Sequence, residues 1–266
     1  MIATRSFWPS FFSEIVARLQ WEPMAIDLTP DARAWPRLPA ERRRRLTTLL
    51  AGFCVAEDAV SEDLEPFGEA AKRTSMASAV TLMAWVFFLQ RRDEQRHARF
   101  FDRIAAEVLG LPGATPAERR AAARPYVPAA ILELFEERLP AMTAELAAGR
   151  AGLDEGVCLY HMMLEAIVFE AGRRALLDDL ADGALPGVRE GVRRTELDER
   201  WHIGFGVRCL IEAPPSPDLL YDLLARAEDA AAVWGDAVPE ATRERTVRKC
   251  LRRLSAAGLI EARAAA

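Results

Sequence analysis

The segments Asp93-Glu-Gln-Arg-His97 and Asp198-Glu-Arg-Trp-His202 decide the fold of this sequence. Each places a histidine three residues after a glutamate, inside a segment whose apolar residues recur at helical spacing. Residues three apart share one face of an α-helix, so each pair can direct a carboxylate and an imidazole at the same point. Two such helices facing each other form a two-metal site when neighbouring helices supply further carboxylates.

Two more glutamates lie in apolar helical segments, Glu57 within Leu49 to Val60 and Glu165 within Cys158 to Phe169. A buried carboxylate is costly unless it is paired or holds a metal ion. Along the chain the order is Glu, Glu-x-x-His, Glu, Glu-x-x-His, as in bundles whose two helix pairs each give three ligands. The sequence therefore predicts that six residues converge on one two-metal site: Glu57, Glu94, His97, Glu165, Glu199 and His202.

The rest of the chain also shows helical rather than alternating spacing, which predicts an all-α fold. We expect an irregular arm rich in Trp and Pro over 1–39, a metal-binding bundle over 40–211, and helices over 212–266 packed on the same domain. Pro66 and Gly68 are expected to end the first bundle helix. The predicted helices run approximately over Ala40–Glu65, Glu69–Leu109 with a break, Pro128–Ala148, Asp154–Ala181, Pro186–Ile211, Pro217–Asp229 and Pro239–Ala257.

Composition excludes several classes of function. The formal net charge is −5, and the basic residues form no stripe, so nucleic-acid binding is not expected. No secretory signal is visible at the start, and the apolar run Met76 to Leu89 is too short to span a membrane and predicts a buried helix. The four cysteines lie far apart in apolar segments, which favours reduced core thiols in a cytoplasmic protein.

The ligand types indicate which metals and which chemistry to expect. Four carboxylates and two imidazoles suit Fe(II) or Mn(II), whereas zinc usually takes four ligands that often include sulfur. The carboxylates match the charge of two divalent ions, and such a pair activates O₂. Asp93 and Asp198 each precede a ligand glutamate and are expected to accept the outer N–H of the histidine on the partner helix. The ligand set does not distinguish Mn/Fe from Fe/Fe.

This pattern resembles the ribonucleotide reductase small-subunit superfamily of the ferritin-like fold, from about Trp21 to Leu210. The resemblance places Phe101, seven residues after Glu94, beside the metals where a reductase subunit carries its radical tyrosine. The C-terminal tail after Gly258 contains no tyrosine for radical transfer. Both departures argue against a reductase subunit.

A nearer resemblance is to the R2-like ligand-binding oxidase group, at Glu57-Asp-Ala-Val60, Tyr160-His-Met-Met-Leu-Glu165 and Asp198-Glu-Arg-Trp-His-Ile-Gly204. It implies a mixed Mn/Fe pair, a long-chain fatty acid bound at the metals, and an ether bond made with O₂ between a valine and a tyrosine. The positions of this sequence that correspond to that valine and tyrosine by the resemblance are Val60 and Tyr160. The ligand would lie against an apolar lining of Phe53, Val60, Met162, Met163, Val168 and Phe169.

Alternatives remain open at this point. His161, four residues before Glu165, is either a further ligand, as in some di-iron N-oxygenases, or a core histidine, which we favour. The first hypothesis is an O₂-activating Mn/Fe or Fe/Fe oxidase that forms the cross-link and oxidises an apolar, fatty-acid-like ligand. The second is a biosynthetic di-iron oxygenase or N-oxygenase; iron storage and a metal-free helical interaction protein rank lower. A homodimer is expected by default, and the electron donor is not identified.

Overall fold

The computed structural model describes residues 8–74 and 80–261, and in those ranges it contains helices and no β-strand. The all-α prediction is confirmed. The α-helices of this part of the chain are α1 (Trp8–Arg18), α2 (Thr29–Ala34), α3 (Ala40–Asp63), α4 (Glu65–Arg73), α5 (Val80–Arg103), α6 (Pro116–Ala123), α7 (Ala129–Leu132), α8 (Leu139–Ala147), α9 (Leu153–Val157), α10 (Glu170–Asp179), α11 (Pro186–Glu212), α12 (Pro217–Ala232) and α13 (Glu240–Ala256).

Three stretches wind as π-helix, in which each amide N–H bonds to the carbonyl five residues earlier. They are Ile104–Val108 after α5, Glu133–Arg138 between α7 and α8, and Cys158–Phe169 between α9 and α10. The last is twelve residues long and nearly all buried. Short π turns are rare and concentrate at functional sites, so this long one indicates a functional region of the bundle.

The central bundle consists of α3, α5, the stretch from α9 to α10, and α11. Helix α3 packs on α5, and α11 packs on Cys158–Phe169. Every residue of α3 from Leu49 to Glu57 is buried, so this helix is surrounded by protein on all sides. The glutamates and histidines singled out in the sequence all lie on these four stretches.

Elements outside the bundle are fastened to it by specific polar contacts. The buried Asp31 carboxylate accepts hydrogen bonds from the amides of Gly187 (3.0 Å) and Val188 (2.8 Å), which caps the start of α11. Trp234, between α12 and α13, donates its indole N–H to the carbonyl of Val168 (2.8 Å). Its ring lies where a side chain on Gly52 or Gly172 would clash.

Several sequence expectations need correction. Over its described residues 8–39 the arm is only partly irregular, because α1 and α2 form within it and proline occupies their first turns, where a missing N–H costs nothing. The first bundle helix ends at Asp63, close to the expected Glu65, but Pro66 and Gly68 lie inside the next helix, α4. Helix α6 was not predicted, although Thr115 and Glu118 form its capping box.

The expected helix Glu69–Leu109 is divided between α4 and α5, and its residues 75–79 lie outside the described ranges. The expectation of a buried helix over Met76–Leu89 holds only in part, because Trp85 and Phe88 are 48% and 46% exposed. All four cysteines are buried and free. No helix in the described part of the chain is long and apolar enough to cross a membrane.

Candidate metal centre

The structure brings the six predicted ligand residues together in the interior of the bundle. Two overlapping groups each offer ligand atoms that lie within 4.8 Å of one another. One group is Glu57, Glu94, His97 and Glu199, and the other is Glu94, Glu165 and His202. All six side chains are at most 1% exposed, so their charges have almost no contact with solvent.

Glu94 lies between the two histidines. Its Oε2 is 3.0 Å from Nδ1 of His97, and its Oε1 is 3.0 Å from Nδ1 of His202. Glu57 adds an oxygen 3.6 Å from the first ring, and Glu165 adds one 3.4 Å from the second. The two oxygens of Glu199 lie 3.9 Å from the two Nδ1 atoms, one from each. The arrangement therefore has two halves, one around each histidine, and both Glu94 and Glu199 have one oxygen near each half.

The π-helical stretch Cys158–Phe169 sets the position of Tyr160 and Glu165. Because the π turn is wider than an α turn, residues five apart come to lie near one another on its surface. Tyr160 is fully buried and donates its hydroxyl to Oε1 of Glu94 (2.8 Å), so both side chains face the cluster. Val60, the other residue of the expected cross-link, is buried on α3 one turn after Glu57.

Asp198 lies behind His97. Its Oδ2 is 3.0 Å from Nε2 of His97 and also accepts hydrogen bonds from the Trp21 indole (2.8 Å) and from Arg96 (2.9 Å). Asp198 thereby holds a proton on Nε2 of His97, and Nδ1 faces the carboxylates of the cluster. Trp21 was not identified from the sequence, since nothing local connects it to α11.

Asp93 has the matching position behind His202, with a looser contact. Its Oδ2 is 3.6 Å from Nε2 of His202 and accepts a hydrogen bond from the Trp201 indole (3.2 Å). Its other oxygen accepts from Arg96 (2.7 Å). Arg96 thus bridges the two aspartates that stand behind the two histidines.

His161 is linked to the cluster by hydrogen bonds through Gln90. Its Nε2 donates to Oε1 of Gln90 (3.1 Å), and the Gln90 amide donates to Oε1 of Glu165 (2.8 Å). Burial lowers the pKa of His161 to about 3, helped by repulsion from His202, so the ring is neutral. Gln90 was missed, although it lies four residues before Glu94 on the same helix face. Phe101 is buried and stacks on Phe53, with ring centres 4.9 Å apart.

In the metal-free protein the pKa values of the cluster residues are shifted in different directions. Burial raises the pKa of Glu199 well above its usual value, and that of Glu57 and Glu165 is also raised mainly by burial. For Glu94, burial is outweighed by the two histidines, and its pKa is lowered. For His97 and His202, burial is outweighed by the surrounding carboxylates, and the pKa of each is raised.

The carboxylate oxygens are incompletely satisfied by the protein. Both oxygens of Glu57, both of Glu199 and one of Glu165 have no hydrogen-bond partner among residues 8–74 and 80–261. Buried carboxylates without donors are strongly disfavoured, whereas divalent cations would compensate all of them together. The donor set of oxygens and imidazole nitrogens suits Fe(II) and Mn(II).

Arg173 is a second buried arginine near the cluster, after Arg96, and the sequence analysis did not identify it. Arg173 on α10 is 1% exposed, and its Nη1 lies 3.0 Å from Oε1 of Glu199. The sequence gives no sign of its burial, because one of two consecutive arginines on a helix is usually solvated.

No protein-family model matches this chain. Among solved structures, the R2-like ligand-binding oxidase from Sulfolobus acidocaldarius aligns with a TM-score of 0.76 and 21% identity, over 95% of this chain and 91% of that one. A valine-to-leucine variant of an R2-like ligand-binding oxidase with an anaerobically reconstituted Mn/Fe cofactor aligns with a TM-score of 0.75 and 19% identity, over 96% and 94%.

A glycine-to-leucine variant with a non-activated Mn/Mn cofactor gives a TM-score of 0.74 and 19% identity, again over 96% and 94%. At such identities the likeness establishes the fold. The expected resemblance to the R2-like oxidases and the expected ferritin-like bundle are therefore confirmed as statements about fold.

Proposed function

We propose that this protein is a two-metal oxidase that binds Mn/Fe or Fe/Fe and uses O₂ to attack a C–H bond. The observation that carries the proposal is the convergence of four buried carboxylates and two imidazoles with several oxygens left unsatisfied within the described residues. The ligands would be Glu57, Glu94, His97, Glu165, Glu199 and His202. Two ions bound there would supply electrons for the reduction of O₂.

The residues around the cluster hold the ligand side chains in position. Asp198 holds the proton of His97 on Nε2, which keeps Nδ1 available as a ligand. Asp93 stands in the same relation to His202. Gln90 orients Glu165 through its amide, and the neutral His161 in turn fixes the orientation of Gln90. His161 therefore serves to position the amide rather than to bind metal.

We further propose that Val60 and Tyr160 become joined by an ether bond. The Tyr160 hydroxyl donates to Glu94, so its proton has an acceptor at 2.8 Å inside the cluster. Forming the bond removes one hydrogen from each residue, that is, two protons and two electrons. Reduction of O₂ to water takes four of each, so the other two electrons come from the ions and the other two protons from solvent.

An apolar, fatty-acid-like ligand remains a prediction from the resemblance. The choice between Mn/Fe and Fe/Fe stays open because the ligand types accept both metals, and a homodimer remains the default expectation. The neighbouring structures are described as ligand-binding oxidases with Mn/Fe or Mn/Mn cofactors, which supports a two-metal site of this general kind. An electron donor is needed for repeated turnover, because each cycle oxidises the ions.

The ligand assignment is tested by metal content. We expect Glu165→Ala to hold fewer than two ions per chain after anaerobic loading with Mn(II) and Fe(II), measured by elemental analysis. Glu170→Ala is the matched control, because Glu170 is also buried and lies in the same helical stretch but pairs with Lys249. Two ions per chain in Glu165→Ala would contradict the assignment.

The oxidase activity is tested by intact and peptide mass spectrometry before and after exposure of the loaded protein to O₂. A loss of two hydrogens that maps to linked peptides containing Val60 and Tyr160 is expected, and Tyr160→Phe should abolish it. Consumption of O₂ without a change in mass would refute the cross-link and favour the biosynthetic oxygenase.

A further inference from the structure

A surface groove lies between α4 and α5 and reaches buried side chains of the bundle. Its volume is about 330 Å³, and Leu64, Ala84 and Phe87 give it an apolar lining. Leu64 and Phe87 are each 1% exposed, so they form the inner wall of the groove rather than its rim. The groove therefore passes through the outer layer of the bundle and ends at core residues.

Two helical stripes connect this inner wall to the metal ligands. Residues three or four apart share a helix face, and each stripe takes two such steps from the groove to a ligand glutamate. The stripes are Leu64, Val60 and Glu57 at the end of α3, and Phe87, Gln90 and Glu94 on α5. Seven residues of helix span about 10 Å, and α3 packs against α5. The groove thus ends about 10 Å from the cluster, on the side that holds the residues of the proposed cross-link.

Aromatic rings fill the space between the groove and Tyr160. The centre of the Phe87 ring lies 4.8 Å from that of Phe205 and 5.9 Å from those of Phe67 and His161. The Phe67 ring in turn lies 5.6 Å from that of Tyr160. Such a wall admits small apolar molecules when a ring moves, and it excludes ions, because a charge would lose its hydration there.

Salt bridges hold the mouth of the groove. Arg91 pairs with Glu65 (3.3 Å) and donates to the carbonyl of Ser61 (3.2 Å), which ties α5 to the end of α3 and the start of α4. Lys72 pairs with Glu69 (2.6 Å). Every charged residue that lines the groove belongs to one of these pairs, so within the described residues the groove offers no unpaired charge to an ionic ligand.

A second groove approaches the cluster over Trp21, but its lining is polar. Four arginines and two glutamates surround it. The Trp21 ring is fixed by its hydrogen bond to Asp198 (2.8 Å) and by the Arg96 guanidinium, 5.4 Å from the ring centre. An apolar molecule is therefore better accommodated by the groove between α4 and α5.

We propose that O₂ reaches the two-metal centre through the groove between α4 and α5, and that Phe87 determines which molecules pass and how fast. This inference rests on the proposed function, because it requires that the cluster consumes O₂. The six ligand residues are at most 1% exposed, so a side chain has to move before any molecule reaches them. Phe87 is the ring that both lines the groove and contacts the aromatic layer around Tyr160.

The first test uses the metal-free full chain and O₂ itself. Dissolved O₂ is paramagnetic and speeds the relaxation of nearby methyl protons, so methyl NMR reports how often it reaches each methyl group. Leu46 is the matched control for Val60, because it is equally buried on the same helix but about 27 Å from Leu64 along the axis. Val60 should show an enhancement about twofold or more above that of Leu46.

In Phe87→Trp, the larger ring should lower the enhancement at Val60 and leave that at Leu64 and at Leu46 unchanged. Val60 lies beyond Phe87, whereas Leu64 lines the groove itself. An enhancement at Val60 no larger than at Leu46, or one that Phe87→Trp leaves unchanged, would overturn the proposal.

Ala84→Met tests the same path from the outer side if Phe87→Trp does not fold. Ala84 is half-buried and lines the groove, so the longer side chain fills the groove without entering the core. The enhancement should fall at both Leu64 and Val60. Arg92→Met is the control, because Arg92 is exposed on the same helix and does not line the groove. Equal enhancements at Val60 in the two variants would contradict entry through this groove.

Nitric oxide, which binds Fe(II) without turnover, tests the role of Phe87 in the Fe(II)-loaded protein. A residue on an access path changes the association and dissociation rates by the same factor and leaves Kd unchanged, whereas a residue that contacts the bound molecule changes Kd. Stopped-flow absorption should show that Phe87→Trp slows association about fivefold, with Kd within about twofold of wild type. An unchanged association rate would overturn the role of Phe87.

Iron content measured on the same samples separates this inference from the proposed function. A wild-type chain that holds fewer than two Fe(II) would refute the proposed function, and the relaxation measurements on metal-free protein would still decide the entrance. Two Fe(II) per chain together with equal relaxation at Val60 and Leu46 would refute the entrance alone.

Discussion

Replacing Asp198 by asparagine should weaken metal binding more than any comparable change behind the ligands. Oδ2 of Asp198 accepts three hydrogen bonds, from Trp21 (2.8 Å), Arg96 (2.9 Å) and His97 (3.0 Å). Asparagine keeps one oxygen but loses the charge. Hydrogen bonds to charged groups contribute about 1.5–3 kcal/mol and neutral ones about 0.5–1.5 kcal/mol. We expect the substitution to cost the metal-free protein about 1–3 kcal/mol.

For metal binding, the loss of a group behind a ligand histidine typically costs about 10-fold to 100-fold in affinity. We expect Asp198→Asn to fall in that range when Mn(II) is titrated against a competing chelator, with circular dichroism to verify folding. Asp93→Asn should cost less, because Asp93 is 3.6 Å from Nε2 of His202, beyond good hydrogen-bond distance. Asp178→Asn on the surface is the control. An affinity of Asp198→Asn within threefold of wild type, or a larger loss in Asp93→Asn, would refute this reasoning.

Three further outcomes follow from the structure. The pKa of His97 and of His202 lies above the usual 6.5 in the folded metal-free protein. The stabilisation that the protonated rings give is therefore complete below pH 6.5 and is lost as the pH rises. Thermal unfolding in the presence of a chelator should show a Tm that falls with rising pH, and a Tm that rises would contradict protonated histidines. Gly191→Ala should lower the free energy of unfolding in urea by about 1–3 kcal/mol, because the added Cβ would lie 1.9 Å from the buried Phe100 ring. Gly204→Ala should raise it by up to about 1 kcal/mol, because the nearest atom to its Cβ, on Phe12, is 3.7 Å away. Trp234→Phe should cost about 1–3 kcal/mol in the same assay because it removes an indole N–H that bonds a buried carbonyl at 2.8 Å, and an unchanged unfolding midpoint would show that this bond contributes nothing.

The two Glu-x-x-His segments could be predicted from sequence because their geometry is local. Residues three apart share a face in any α-helix, so Glu94 and His97 needed no knowledge of the rest of the fold. The apolar surroundings of Glu57 and Glu165 similarly indicated burial before the structure was known. The ends of α3 and α11 also lie within two residues of the predicted ones, since caps act within a few residues, whereas Pro66 does not end a helix because it lies in the first turn of α4.

The position of Tyr160 could not be derived in the same way. In an ideal α-helix, residues five apart differ by about 140° around the axis, which leaves the relation of Tyr160 to Glu165 undecided. The structure winds this stretch as a π-helix, and the hydroxyl reaches Glu94. No pattern of apolar residues announces that winding. It depends on packing against α11, α12 and α13, which only the folded chain provides.

Arg173 shows a second limit of local reasoning. From sequence it is one of two consecutive arginines on a helix, and such residues are usually solvated. In the structure Arg173 is 1% exposed, while the side chain of its neighbour Arg174 is 33% exposed, because helix α10 turns only the first towards Glu199. Which of the two arginines is buried depends on the rotation of α10 about its axis. That rotation is set by the number of residues per turn in the π-helix that precedes α10.

The buried arginine also bears on how the protein tolerates its own site. Without metal, the cluster holds carboxylates with unsatisfied oxygens in the described core, an arrangement that opposes folding. Arg173 gives Glu199 an oppositely charged neighbour at 3.0 Å, which offsets part of that cost. Each ion then adds stability by mass action, about 2.7 kcal/mol at a hundred times its Kd. Arg173 and the metal ions therefore act on the same carboxylate, so a substitution of Arg173 should change both the stability of the metal-free bundle and its affinity for metal.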